Sequence, residues 1–251
     1  MVKLAISNGE EMFKKDKTVK LTFHTYQTQQ LIDMFSPKLA GQLVPDWFKN
    51  LKVSKDKLFP NMNSCPGMVD LFKNTINIPL WQDFRIKYDN GQIIDVDVPG
   101  VPKGEEVHFI QQHHPDQWNN AFKGCTHVKL MSPWLVTSSG PCRDVPFLMH
   151  NPTWHNTNKL GQYNLLPGEL NFAFQSATAV NMFLPPALGP SELMLEAGDI
   201  IAYLTPLQHD VKVEVEVKWV SEEEWRRLLK HQFTFDGFYR KTKKWLERGS
   251  K

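Results

Sequence analysis

The plainest pattern in the chain is the run VKVEVEVKW, residues 211–219, where Val211, Val213, Val215, Val217 and Trp219 alternate with charged residues. A period of two sends neighbouring side chains to opposite faces of an extended backbone, so the run predicts a strand with one apolar and one charged face. FRIKYDNGQIIDVDV, residues 84–98, contains two such alternating runs around Asn90-Gly91. That pair tolerates the positive φ angles of a type I′ turn, and a β-hairpin is predicted. Thr18 to Tyr26 is rich in β-branched and aromatic residues and reads as a further strand, as do Thr126–Met131, Val145–His150, Glu169–Gln175 and Asp199–Leu204.

Helical periodicity is confined to short pieces. TQQLIDMFSPKLAG, residues 28–41, predicts a helix stopped near Pro37, and VPDWFKNL, residues 44–51, predicts a helical turn that follows a proline. Near the C-terminus Ser221 and Glu224 stand three apart as a capping box, with Glu222 and Glu223 at the positive end of the dipole. A second helix is predicted over Phe235 to Arg248, with Phe238, Trp245 and Leu246 toward one side. Strands every ten to twenty residues, separated by Pro and Gly turns, predict a mainly β single domain. The candidates are a β-sandwich, a jelly roll or a β-clip-like fold over residues 1–220, with short N-terminal helical segments and a two-helix appendage over 221–251.

Composition adds little to this picture except at the end of the chain. A length of 251 residues is enough for one sizeable core, and 17 prolines and 8 tryptophans suit loop-rich β architecture. The net charge of +2 conceals nine Lys and Arg against five acids in residues 221–251, which leaves the preceding 220 residues at −2. The body thus has no basic character that would suggest nucleic acid, whereas the tail could meet an anionic surface through Arg240, Lys241, Lys243, Lys244 and Trp245. The three cysteines form no Cys-x-x-Cys pair, the start MVKLAISNGEEMFKKDK has no apolar signal core, and no apolar run reaches membrane length. A soluble intracellular protein with no membrane association is the expectation.

Candidate chemistry is sparse. IQQHHPDQW, residues 110–118, contains His114-x-Asp116, and His209 follows far downstream. In order and spacing these three are similar to the facial triad of Fe(II)/2-oxoglutarate oxygenases, with Lys218 as the residue that would hold the cosubstrate carboxylate. Pro115 between the first two ligands argues against a central ladder strand there, and Lys218 alternates away from the apolar face of its strand, so a loop without metal is the favoured reading. His150 and His155 match no ligand template, and Cys142 beside Arg143 is an isolated thiol. Trp47, Trp81 and Trp134 read as core or interface anchors. The Gly198-Asp199 strand resembles one in trimeric dUTPase-like β-clip folds, a likeness of topology only.

From Val44 onward the succession VPDWFKNL, SCPGMVDLFKNTINIPLWQDFRI, IQQHH, VKLMSPWLVTSSGP, FLMHNP and LEAGDIIAYLTPL resembles an uncharacterised protein family of tailed phages of marine bacteria, myoviruses of cyanobacteria and their relatives. The resemblance spans roughly residues 44 to 208; within it 152–168 is diverged, and the C-terminal helices lie outside it. It implies a viral source and a fold-sized unit, and it carries no catalytic residue. Together with the residue chemistry it leads to the expectation of a non-catalytic binding or structural protein without a cofactor. Its partner would be a protein of the virion or of the host, with a homo-oligomer as a further option, in host cytoplasm or virion. An Fe(II)- and 2-oxoglutarate-dependent oxygenase is the alternative.

Overall fold

A computed structural model describes residues 17–51, 61–119 and 121–229 of the chain. In order these residues form β1 (Thr18–Thr25), α1 (Gln29–Phe35), β2 (Lys38–Leu39), α2 (Asp46–Lys49), α3 (Pro66–Asn74), β3 (Ile76–Pro79), β4 (Phe84–Asp89) and β5 (Gln92–Asp97). Then come β6 (Ile110–Gln112), β7 (Thr126–Leu130), β8 (Leu135–Ser139), β9 (Phe147–His150), β10 (Asn164–Leu165), β11 (Gly168–Leu170) and β12 (Val180–Leu184). The described residues end with β13 (Ser191–Leu195), β14 (Ile200–Pro206), β15 (Lys212–Trp219) and α4 (Glu222–Leu229). The protein is mainly β and sandwich-like, as its alternating runs predict.

The strands assemble in four hydrogen-bonded groups, ordered β15-β1-β8, β10-β12-β7-β6, β11-β9-β14-β3-β2 and β13-β4-β5. All ladders are antiparallel except β1 with β15, which runs parallel in register from Thr18 opposite Lys212 to Thr25 opposite Trp219. One apolar core draws on every group, with Phe23, Ile78, Phe84, Val136, Phe147, Met182 and Leu204 all fully buried. Burying a side chain of this size contributes roughly 1.5 to 3 kcal/mol each, so the shared core is what joins four small sheets into one body. No helix among the described residues is long and apolar enough to cross a membrane.

The predicted hairpin forms as β4 and β5, with Asn90 at φ 44° and Gly91 at φ 83° in its turn. The predicted short helices form as α1 and α2. At α4 the Glu224 amide donates to Ser221 Oγ at 3.2 Å, and Trp225 buries against Leu135 and Val220. The helix predicted over Phe235–Arg248 lies outside the described residues, as do Arg240, Lys241, Lys243, Lys244 and Trp245.

Three expectations need correction. Of the strand predicted over Glu169–Gln175 only Glu169 and Leu170 pair, as the end of β11, because Asn171 turns the chain away. Its side-chain oxygen accepts from the Ala173 amide at 3.1 Å and its amide donates to the Asp144 carbonyl at 3.0 Å, the local bonding by which Asn competes with a ladder. Trp219 does not join the apolar face of β15. It is 57 % exposed at the strand's end, past the core, and its indole donates to the Gln27 carbonyl at 3.0 Å. IQQHHPDQW is not wholly loop, since Ile110–Gln112 pairs with β7 before the chain turns at Pro115. Helix α3 is an element the pattern did not predict; it starts with Pro66 in its first turn and buries Met68 and Phe72.

Where β8 ends, Gly140 adopts φ 94°, and a Cβ at that position would stand 2.9 Å from the Thr18 carbonyl oxygen. Both the positive φ and the close approach demand glycine. Gly140→Ala is therefore expected to lower unfolding free energy by about 2 kcal/mol or more, the cost of strain that cannot relax without shifting β1. Chemical denaturation of the two proteins measures it, and an unchanged midpoint contradicts the packing described.

Candidate functional site

The stretch IQQHHPDQW spends its polar groups locally. Gln112 staples the neighbouring hairpin: its side-chain oxygen accepts from the Ile93 amide at 2.8 Å and its nitrogen donates to the Gly91 carbonyl at 3.1 Å. His114 caps the turn Pro115–Trp118, its Nδ1 accepting from the Asp116 amide at 3.3 Å and lying 3.2 Å from the Asp116 carboxylate, with both side chains exposed. Pro115 occupies the first position of that turn, where its missing N–H costs nothing. Trp118 then folds back and donates its indole N–H to His127 Nδ1 at 3.3 Å.

Among the described residues the structure does not gather the triad of the alternative, oxygenase reading. His209 sits on an exposed turn after β14, and Lys218 lies on the charged side of β15 with its ammonium 3.1 Å from Glu216. Among the described residues no group of three His, Cys, Asp or Glu side chains is arranged to hold a metal ion. A facial triad needs three ligands converging on one point from a rigid frame. Here the first two are turned toward each other.

His150 and His155 are likewise engaged inside the fold. A carbonyl can only accept, so the contact of His155 Nε2 with the Leu43 carbonyl puts the proton on Nε2, and Nδ1 accepts from the Tyr203 hydroxyl at 2.5 Å. His150 Nε2 lies 2.9 Å from the Thr205 hydroxyl, which in turn lies 2.8 Å from that of Thr75. Nearby, Trp47 donates to the Trp154 carbonyl at 2.7 Å. This sequence, MHNPTWHN, pins the segment around Leu43 to the sheet of β9, β14 and β3.

A different region is left with unused donors. The peptide group of Leu80 is fixed by its amide to Asp199 O at 2.7 Å and its carbonyl to Gly198 N at 2.8 Å, which sets the position of Trp81-Gln82. Trp81 stands edge-on to Phe84 with ring centroids 6.1 Å apart. Across from it the connection between β7 and β8 is braced at Trp134, whose amide donates to Ser132 Oγ at 3.2 Å, while the Thr178 hydroxyl lies 2.9 Å from both Ser132 Oγ and the Trp134 carbonyl. Helix α4 closes the third side, with Trp225 against Tyr26 at 4.9 Å between centroids.

These walls surround a cleft of about 500 Å³, lined chiefly by Tyr26, Leu31, Trp81, Met131, Trp134 and Trp225. Among the described residues no Lys, Arg, Asp or Glu lines it, while Gln27, Gln82 and His108 do. Its volume falls within the range of roughly 300 to 1,000 Å³ that small ligands occupy. The indole Nε1 atoms of Trp81 and Trp134 and the amide nitrogen of Gln82, all on residues of this lining, are buried from the cleft's own space as well as from bulk solvent, and none meets an acceptor among the described residues. Buried donors nearly always find partners, so three in one recess is a concentrated exception. The sequence marks Trp81 and Trp134 as anchors, but it gives no sign that they share a cleft with Gln82, Tyr26 and Trp225.

No known protein family, curated protein sequence or solved structure matches the chain.

Four histidines, His24, His127, His150 and His155, are held below their ordinary pKa, in each case first by burial. His127, 4 % exposed and beside His113, is lowered to about 4. A histidine depressed in the folded state favours folding above its unfolded pKa of about 6.5, and that contribution is lost as pH falls through the folded value. The melting temperature is accordingly expected to drop steadily from pH 7 to pH 4, with His127 alone accounting for on the order of 3 kcal/mol across the window. Thermal melts at constant ionic strength check this; a flat profile over that interval contradicts buried neutral histidines.

Proposed function

We propose that this protein is a non-catalytic binding protein, and that the tryptophan-lined cleft beside α4 is where it holds its partner. The observation that carries this reading is the unequal use of polar groups. The histidines that could serve as catalysts or ligands are bonded within the fold, as are His150 and His155, or stand on exposed turns, as do His114 and His209. The donors of Trp81, Gln82 and Trp134, by contrast, are buried, preorganised and unspent. Binding sites combine apolar walls with a few fixed polar groups in this way, whereas general acid–base or metal chemistry needs converging titratable groups. In keeping with the likeness to phage proteins, the partner would belong to a virion or to its host. The surplus of basic residues after Ser221 would add attraction for an anionic partner surface.

The competing activity gives the test. Supplied with Fe(II), 2-oxoglutarate and oxygen, the purified protein is expected to form no more succinate than the double variant His114→Ala, His209→Ala. Protein-dependent succinate formation that is lost in each single variant overturns the binding reading and restores the iron oxygenase.

A further inference from the structure

We propose that Trp118 and His127 form an acid-released latch: when the His127 ring takes up a proton, the turn Pro115–Trp118 leaves the face of β7 and β12 and bares Phe183. The latch shares no lining residue with the tryptophan cleft, and neither reading depends on the other. Apart from the Trp118 indole, the hydrogen bonds of the turn are local among the described residues. The Gln117 amide donates to the His114 carbonyl at 3.0 Å, that of Asn119 to Asp116 at 3.1 Å and that of Ala121 to Trp118 at 2.9 Å. The turn can therefore move as a unit. Its polar tie to the sheet is Trp118, whose indole N–H reaches His127 Nδ1 at 3.3 Å and whose ring stands edge-on to His127 and Phe183, with centroids 5.2 and 5.7 Å away.

An indole nitrogen can only donate, so His127 Nδ1 has to keep its lone pair, and the neutral ring carries its proton on Nε2. A protonated ring has an N–H on both nitrogens. The Trp118 N–H and the new Nδ1–H would then point at each other, which turns the bond into a clash of two donors. Nε2 gives no relief, because it is buried with no hydrogen-bond partner among the described residues. The recess beside the ring, lined by His113, Trp118, Cys125 and Phe183 among others, measures about 10 Å³, the lower limit for a single water. A charged ring cannot be hydrated in place.

The surroundings oppose the charge as well. Burial is the main force holding the ring neutral, and it is reinforced by His113 at the end of β6, edge-on with centroids 4.5 Å apart, and by Lys129 two residues along β7. From β12 Asn181 favours the charged form, yet it makes no hydrogen bond with Nε2. The segment after the turn brings Cys125, whose thiol burial pushes up, while its Lys123 is exposed; the hairpin brings only Gly91. No carboxylate lines the recess among the described residues, and Asp116 of the turn is exposed and lies against His114. The ring thus titrates near 4 when latched and near its ordinary 6.5 once released into water, so the latched state is favoured above 6.5 and loses ground as pH falls. These values raise the released-to-latched ratio about twentyfold between pH 7 and pH 5. Ile110–Gln112 stays paired with β7, and Phe183, 6 % exposed while the turn is down, becomes accessible.

Exchange of indole N–H protons in the full chain, followed by NMR and corrected for the pH dependence of free indole, tests the latch. Between pH 7 and pH 5 the Trp118 N–H is expected to lose about twentyfold more protection than that of the fully buried Trp134, which reports opening of the whole body. His127→Asn keeps an acceptor close to the position of Nδ1 and cannot titrate, so it should abolish the excess loss. Should that variant fail to fold, Trp118→Phe keeps an aromatic ring while removing the donor, and the His127 ring, followed through its carbon-bound protons, should titrate at higher pH than in the parent protein. The proposal is overturned if Trp118 loses no more protection than Trp134, if His127→Asn retains the excess, or if Trp118→Phe leaves the His127 titration where it was.

Discussion

The parallel pairing of β1 with β15 is the constraint on which the rest of the molecule depends. Parallel neighbours require a crossover, and here the crossover is nearly the whole described chain, from Thr25 round to Lys212. Closing so long a loop costs only slightly more entropy than closing a moderate one, since each doubling adds about 0.6 kcal/mol. Burial of Val19, Leu21 and Phe23 beneath the sheet offsets that cost. The pairing continues past both strands: the Val220 amide donates to Thr25 O at 2.9 Å, and Trp219 donates to Gln27 O. Tyr26 and Trp225 are thereby brought into tilted ring contact, and one wall of the cleft is made from opposite ends of the described sequence.

The same geometry explains what could and could not be read from sequence. The hairpin at Asn90-Gly91 and the alternation of β15 are local signals, and both elements formed where the pattern placed them. Helix α3 was hidden because its buried apolar residues reduce to Met68 and Phe72, one turn apart, behind Cys65-Pro66-Gly67. Strands β8 and β12 lack a clean period of two, since LVTSS and VNMFL bury neighbouring residues on both faces. Glu169–Gln175 failed for the opposite reason: its composition is strand-like, and a single Asn171 decides the turn.

Site residues were legible only as chemistry, not as placement. His114-x-Asp116 has the spacing of a metal motif, yet Pro115 starts a turn that closes the two side chains on one another. Trp81 and Trp134 announce themselves as anchors, but their meeting with Trp225 depends on the long-range closure of β1 on β15. That their nitrogens lack acceptors is a property of the assembled fold, and no spacing in the sequence encodes it. The polar groups divide accordingly, with His150 and His155 consumed in holding segments together and the Trp81 and Trp134 indoles left without acceptors beside the recess.

The claim that the terminal strands build the cleft is tested most directly by native-state hydrogen exchange of the protein and its Phe23→Ala variant. Phe23 lies opposite both Val217 of β15 and Val136 of β8, so the substitution weakens the junction without touching the cleft lining. The account predicts that amides of residues 18–25 and 212–219 exchange through one common opening, and that Phe23→Ala accelerates both together with residues 131–136 and 222–229 at the cleft walls. Fast exchange in 212–219 while 18–25 stays protected, or cleft walls that keep full protection in the variant, would contradict it.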